Sequence, residues 1–226
     1  MIKICVVGLG NIGKSVIETL KVSPDMEIVG IIRRNVTKEM KNEFPNIEVV
    51  DDVSKLKEKP DVAILCTPSR LVPETAVKYL ALSINTVDSY DIHKSIYDVK
   101  VKLDAVAKEN NAVSIISAGW DPGSDSIVRA LMQSCAPKGV TYTNFGPGMS
   151  MGHTVAVKAI DGVKAALSMT IPMQTGIHRR MVYIELLDGY DEKTVIDAIK
   201  SDDYFVNDET HVTVVPDVSE LLDMGH

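Results

Sequence analysis

The sequence predicts an α/β protein: a doubly wound parallel sheet, then a smaller α+β domain. Three observations carry this. Short apolar runs alternate with segments of helical periodicity through the first half, a glycine-rich turn joins the first run to the first helical segment, and the alternation ends near residue 119. The runs are Ile2–Val7, Ile28–Ile32, Val62–Cys66, Asn85–Val87 and Val113–Ile116, separated by helical stretches such as Val72–Leu82 and Tyr97–Glu109.

Ile2–Val7 opens the sheet and leads into Gly8-Leu9-Gly10-Asn11-Ile12-Gly13. The first glycine permits a tight turn, the second lets backbone approach a pyrophosphate, and the third lets helix pack closely on strand. Ser15–Lys21 then carries helical apolar spacing, so the helix N-terminus faces the anion, and Ile28–Ile32 supplies the second strand. This is a Rossmann-type dinucleotide site. At the end of the second strand an NAD enzyme would place Asp or Glu against the ribose 2′-hydroxyl, whereas this chain places Arg33 and Arg34. Arginine suits a 2′-phosphate, which favours NADP; the plain alternative is two arginines capping an exposed strand end.

Open parallel sheets hold ligands outside the carboxyl ends of their strands. Cys66-Thr67-Pro68-Ser69 and Val87-Asp88-Ser89-Tyr90-Asp91 fall there and should border the cofactor. The expected cofactor residues are Gly8, Gly10, Asn11, Ile12, Gly13, Arg33, Arg34, Cys66, Thr67, Pro68 and Ser69, within a dinucleotide-binding domain spanning 1–119.

After Ile116 the texture changes. Gly119-Trp120-Asp121-Pro122-Gly123 interrupts the pattern, and a helix-like Ile127–Cys135 follows. Strand-like runs come at Val140–Phe145, Val163–Ile171, Met181–Leu186 and His211–Val215, with a turn-rich 146–153 and a helix at Glu192–Lys200 among them. They define an α+β domain over 120–226.

Composition excludes several classes. With 45% hydrophobic and 24% charged residues, neither disorder nor a membrane span is indicated, and a net charge of −7 without a basic stretch argues against nucleic acid. Arg33-Arg34 and Arg179-Arg180 are small enough to be anion holders. The apolar N-terminus is too short for a secretory signal, so a cytoplasmic protein is expected. Cys5, Cys66 and Cys135 read as reduced core thiols, and His93, His178 and His211 lack metal-ligand spacing, so no metal is expected.

The chemistry is left to Ser117–Gly123 and Asn144–His153, too glycine-rich and specific for mere connectors. Together with Val87-Asp88-Ser89-Tyr90-Asp91-Ile92-His93 and Thr175-Gly176-Ile177-His178-Arg179-Arg180, in the same order, they resemble the meso-diaminopimelate dehydrogenases from Met1 to His226. The resemblance implies NADP-dependent oxidative deamination at the D-centre of meso-2,6-diaminopimelate, giving L-2-amino-6-oxopimelate, which cyclises to tetrahydrodipicolinate; the reverse is a reductive amination toward lysine. It places Asp88 and Asp121 at the reacting amino group as the catalytic carboxylates, with Trp120 and Phe145 shaping that end. It places the D-carboxylate near Met151 and Gly152, and the distal L-carboxylate on Thr170, Arg180 and His226. It also implies a homodimer formed through the second domain, and several tens of residues beyond His226, so that domain is expected to be C-terminally incomplete.

The residue types fit a substrate with two carboxylates and two ammoniums: carboxylates for the nitrogen, a guanidinium for the distal carboxylate, backbone N–H groups for the other. Plain readings stand beside these. Asp121 before Pro122 suits a turn or helix cap, Asp88 suits a cap, Trp120 a core position, Thr170 an ordinary strand, and His153 competes with the aspartates for proton transfer. Glu58-Lys59-Pro60 resembles the catalytic tripeptide of the glucose–fructose oxidoreductases but precedes its strand, so it reads as a turn. Rival functions are an inert NADP-binding sensor and another two-domain amino-acid dehydrogenase; the latter would lack the 120–123 and 145–153 segments.

Overall fold

The computed structural model describes residues 1–139, 148–149, 151–174 and 177–221. They form two compact units, Met1–Ala136 and Pro137–His226.

The first unit contains strands β1 (Ile2–Val7), β2 (Met26–Ile32), β3 (Val49–Val50), β4 (Val62–Leu65), β5 (Asn85–Asp88) and β6 (Ser114–Ile115). Its helices are α1 (Asn11–Lys21), α2 (Lys38–Glu43), α3 (Val72–Leu80), α4 (Ile96–Glu109) and α5 (Ser124–Cys135). All pairings are parallel, in the order β3-β2-β1-β4-β5-β6. Chain order thus reverses at β1 and β4, where ligands bind in such sheets.

β1 shows why this region reads as an unbroken apolar run. Its side chains alternate faces: Ile4 and Val6 join Ile17, Leu20, Ile31 and Phe44 in one core, Cys5 and Val7 join Leu65, Tyr79, Leu80 and Leu103 in another. In α1, Gly13, Ile17 and Leu20 form the buried stripe.

The 119/120 division expected from the sequence falls inside the first unit, which runs through α5 to Ala136. β3 and α2 were not anticipated. β3 is two residues long, and α2 is polar with no buried residue, its start set by the Thr37 hydroxyl accepting from the Met40 N–H. The thiols are free; Cys5 is buried, but Cys135 is exposed and so is no core residue, because its place on α5 turns it outward.

The second unit contains β7 (Gly148–Met149), α6 (Met151–Lys158), β8 (Val163–Gln174), β9 (Ile177–Leu186), α7 (Glu192–Ser201) and β10 (Glu209–Val214). Its sheet runs β10-β9-β8-β7, with β10 parallel to β9 and the other pairs antiparallel. α6 and α7 bury Ala156, Val157, Val195 and Ile199 with Val182, Ile184 and Phe205. Asp191 caps α7 by accepting from the Thr194 N–H at 2.8 Å. The 146–153 segment, expected as loop, becomes helical at Met151. The expected strand Val140–Phe145 lies outside the described residues.

Candidate active site

The cofactor region is built by β1, α1 and the ends of β2 and β4. Gly8 has φ +100°, and a side chain there would strike the Cys66 carbonyl. A side chain on Gly13 would strike the Gly8 carbonyl, so helix and turn approach as closely as they do because both are glycine. Gly10 faces open space. It also starts α1 without a side-chain cap, and no acidic residue stands in the first turn, so the first N–H groups are left for an anion.

A cleft of about 890 Å³ lies over this turn, lined by Gly8, Leu9, Gly10, Arg33, Arg34, Cys66, Thr67 and Pro68 among others. Asn11, Ile12, Gly13 and Ser69, also expected here, are not lining residues; the first three are the opening turn of α1, and Ser69 begins a 3₁₀ turn. The sequence reading missed Asn35, Asp51, Thr75 and Lys78, which line the same cleft but carry no motif. Lys78 is neutralised by Asp52 at 2.6 Å. Arg33 donates to the Leu9 carbonyl at 3.4 Å, while the exposed Arg34 has no partner among the described residues. Burial pushes the Cys66 thiol up to about 11, so it packs as a neutral group.

Asp88 ends β5, directly beside Leu65 at the end of β4. Its residue is 2% exposed. One carboxyl oxygen accepts from the Tyr90 N–H at 2.9 Å and the Ser117 N–H at 3.2 Å; the other is buried with no hydrogen-bond partner among the described residues. Burial raises its proton affinity above the ordinary aspartate range, against the pull of the two N–H groups. Ser117 sits at φ +57°, and from there its hydroxyl also donates to the Tyr90 carbonyl at 2.8 Å.

The next segment lies alongside: the Ala118 N–H donates to the Asp88 carbonyl at 2.7 Å, and Gly119 packs against Ser89. Trp120, at 62% exposure, is not a core residue. Asp121 does not cap α5, whose N-cap is Gly123; it forms an ion pair with Arg129 at 2.9 Å.

In the second unit, register pairs Thr170 on β8 with Arg180 on β9. Arg180 is 8% exposed; its Nε donates to Asp208 at 2.6 Å and its Nη1 to the Thr170 hydroxyl. Asp208 was not foreseen, since it reaches Arg180 only through the β9–β10 pairing. Arg179 forks onto Glu209 at 2.9 and 3.1 Å, so each of the two expected anion holders is already paired with a carboxylate, Arg179 through both Nε and Nη2 and Arg180 through Nε. Gly152 lies in the first turn of α6, which Met151 begins. His153 stacks edge-on against Tyr204 and Phe205, with centroids 5.4 and 5.3 Å away. Phe145 and His226 lie outside the described residues. Among the described residues no three His, Cys, Asp or Glu side chains gather to hold a metal ion, and no helix is long and apolar enough to cross a membrane.

Strand order and glycine turn define a Rossmann-type oxidoreductase: residues 2–117 match the oxidoreductase family with NAD-binding Rossmann fold. Residues 119–179 match the diaminopimelic acid dehydrogenase C-terminal domain. The chain belongs to the meso-diaminopimelate dehydrogenase family: it is 64% identical over 225 residues to the meso-diaminopimelate D-dehydrogenase of Bacteroides fragilis, covering 100% of this chain and 75% of that one. The Corynebacterium glutamicum enzyme is 32% identical, at 100% and 75% coverage. Among solved structures, an engineered D-amino acid dehydrogenase bound to NADP+ superposes with a TM-score of 0.84 at 29% identity, covering 96% of this chain and 72% of that one. The C. glutamicum DAP dehydrogenase in complex with DAP gives 0.81 at 31% identity, covering 100% and 74%.

Proposed function

We propose that this chain catalyses the reversible, NADP-dependent oxidative deamination of meso-2,6-diaminopimelate at its D-centre. The observation that carries the reading within the site is Asp88: a buried carboxyl at the carboxyl edge of the nucleotide-binding sheet, with one oxygen fixed by two N–H groups and the other buried without a hydrogen-bond partner among the described residues. The relatives at 64% and 32% identity support the substrate, and the NADP+-bound neighbour supports the cofactor.

NADP fits the residues present, with the uncapped α1 N-terminus for the pyrophosphate and Arg33 and Arg34 for the 2′-phosphate. When bound it supplies the hydride acceptor. Hydride leaves only a carbon bearing a neutral amine, so the ammonium must first lose a proton. Asp88 takes it on its unpartnered oxygen, and the burial that raises its proton affinity makes it the better base. Asp121 is the second carboxylate on that amine, and Trp120 walls it. The first-turn N–H groups of α6 at Gly152 hold the adjacent carboxylate.

Arg180 takes the distal carboxylate. With its Nε on Asp208 and Nη1 on Thr170, the guanidinium is held in place, and Nη2, which has no partner among the described residues, remains to donate. Selection of the D-centre follows from anchoring the opposite end. A cytoplasmic homodimer belongs to the same reading, supported by the family resemblance.

The test is NADPH formation by the purified chain with NADP and meso-diaminopimelate, against NAD and the L,L isomer. Turnover with the meso isomer and NADP alone is the expected result. NADP binding without turnover would favour the inert sensor instead.

A further inference from the structure

Arg129 on α5 forms ion pairs with two carboxylates, the one to Asp121 being also a hydrogen bond. Its Nη2 lies 2.9 Å from Asp121 Oδ1 and its Nε 3.0 Å from Asp125 Oδ2. The acids differ in setting, the Asp125 side chain being 8% exposed and that of Asp121 32%. The loop carrying Asp121 is folded back on the start of α5: the Ser124 N–H donates to the Gly119 carbonyl at 3.1 Å and the Asp125 N–H to the Trp120 carbonyl at 2.9 Å. Gly123, at φ +145°, makes this reversal possible.

We propose that Arg129 is a positioning residue for the reaction: anchored on buried Asp125, it holds Asp121 by one oxygen and leaves the other presented to the substrate amine. This rests on the reading of Asp121 as an amine-binding carboxylate. An isolated, half-exposed pair would gain little, because two long side chains must be ordered in water. Here Asp125 has already ordered the guanidinium, one helical turn from its own position. The Nη2 hydrogen bond fixes the direction of the Asp121 carboxylate, which a lysine ammonium with its rotating donors does not do.

Asp125→Asn would itself release Arg129, so the mutant cycle is built on the unaltered chain. The four variants are Arg129→Gln, Asp121→Asn, their double and, because removing Arg129 alone strands Asp125, Arg129→Gln with Asp125→Asn. Readouts are kcat with meso-diaminopimelate, the calorimetric Kd of the same compound for the NADP-loaded chain, the Kd of NADP, and Tm. Arg129→Gln should lower kcat about tenfold, as small misplacements of a reacting carboxylate do. Asp121→Asn should lower it further, the double should be no worse than Asp121→Asn, because Arg129 acts only through Asp121, and Arg129→Gln with Asp125→Asn should match Arg129→Gln in kcat. The Kd of diaminopimelate should follow the same order, with that of NADP unchanged. On the unaltered background, Arg129→Lys, which keeps a cation beside Asp125, should recover Tm but not full kcat. Losses that multiply in the double, or a full kcat in Arg129→Gln or Arg129→Lys while Asp121→Asn is impaired, overturn the proposal. If Asp121→Asn leaves kcat and substrate Kd intact, the reading of Asp121 fails first and takes the proposal with it.

Discussion

Replacing Arg34 by alanine separates the two cofactors. Arg34 follows β2, lines the cleft, is exposed, and has no partner among the described residues, whereas the half-buried Arg33 already donates to the Leu9 carbonyl. The whole Arg34 fork is therefore available to a 2′-phosphate. A hydrogen bond to a charged group contributes about 1.5–3 kcal/mol, and exposure to screening water puts Arg34 near the lower figure. At about 1.4 kcal/mol per decade, Arg34→Ala should raise the Kd of NADP about tenfold. NAD offers a neutral hydroxyl there, so its Kd should change less than about twofold. Titration calorimetry with both nucleotides, at low and high salt, reads the difference, which should shrink as salt rises. Equal losses for NADP and NAD would refute the reasoning and return the arginine pair to capping a strand end.

Gly13→Ala should cost most of the NADP affinity and lower Tm, because the new methyl group meets the Gly8 carbonyl and no flexible side chain can yield; calorimetry and thermal melting check both. Asp88→Asn should abolish turnover yet raise Tm at neutral pH. Burial raises the folded-state pKa of Asp88 above its ordinary value, so the stability it contributes is present at low pH and lost as pH rises. The Tm advantage of the amide should accordingly vanish in acid below pH 3.8, the ordinary aspartate value. Phe205→Ala, at a position 1% exposed in the second unit's core, should destabilise that unit by about 3–5 kcal/mol in denaturant melts.

What was legible in the sequence was local. The turn from β1 into α1 could be read because a left-handed φ at Gly8, a close approach at Gly13 and an apolar stripe on α1 each leave a mark within a few residues. The long strands β8 and β9 were seen, though each runs beyond its apolar part. β3 and α2 left nothing to see: two residues have no period, and a polar helix burying nothing has no stripe. α6 was hidden behind the glycines that precede it. The site's partners were the least visible. Asp208 reaches Arg180 across 28 positions through strand pairing, and Arg129 reaches Asp121 from a helix into the loop before it. Such captures depend on tertiary register, which no window of neighbouring residues encodes.

The central place of β1 has a consequence for synthesis. It is made well before its second neighbour, β4, which begins only at Val62, and Ile4–Val7 pair with Val62–Leu65. At about 5–20 residues per second, the ribosome needs about 3–12 s to pass from Val7 to Leu65. Throughout that interval an apolar strand destined for burial on both faces has one edge unsatisfied, and such an edge is a template for pairing with a neighbouring nascent chain. The carbonyl of Cys66 that closes over Gly8 arrives later still. Nucleotide therefore cannot rescue the nascent sheet during this interval, and the yield of folded protein should depend on how well β1 is shielded before its partner emerges.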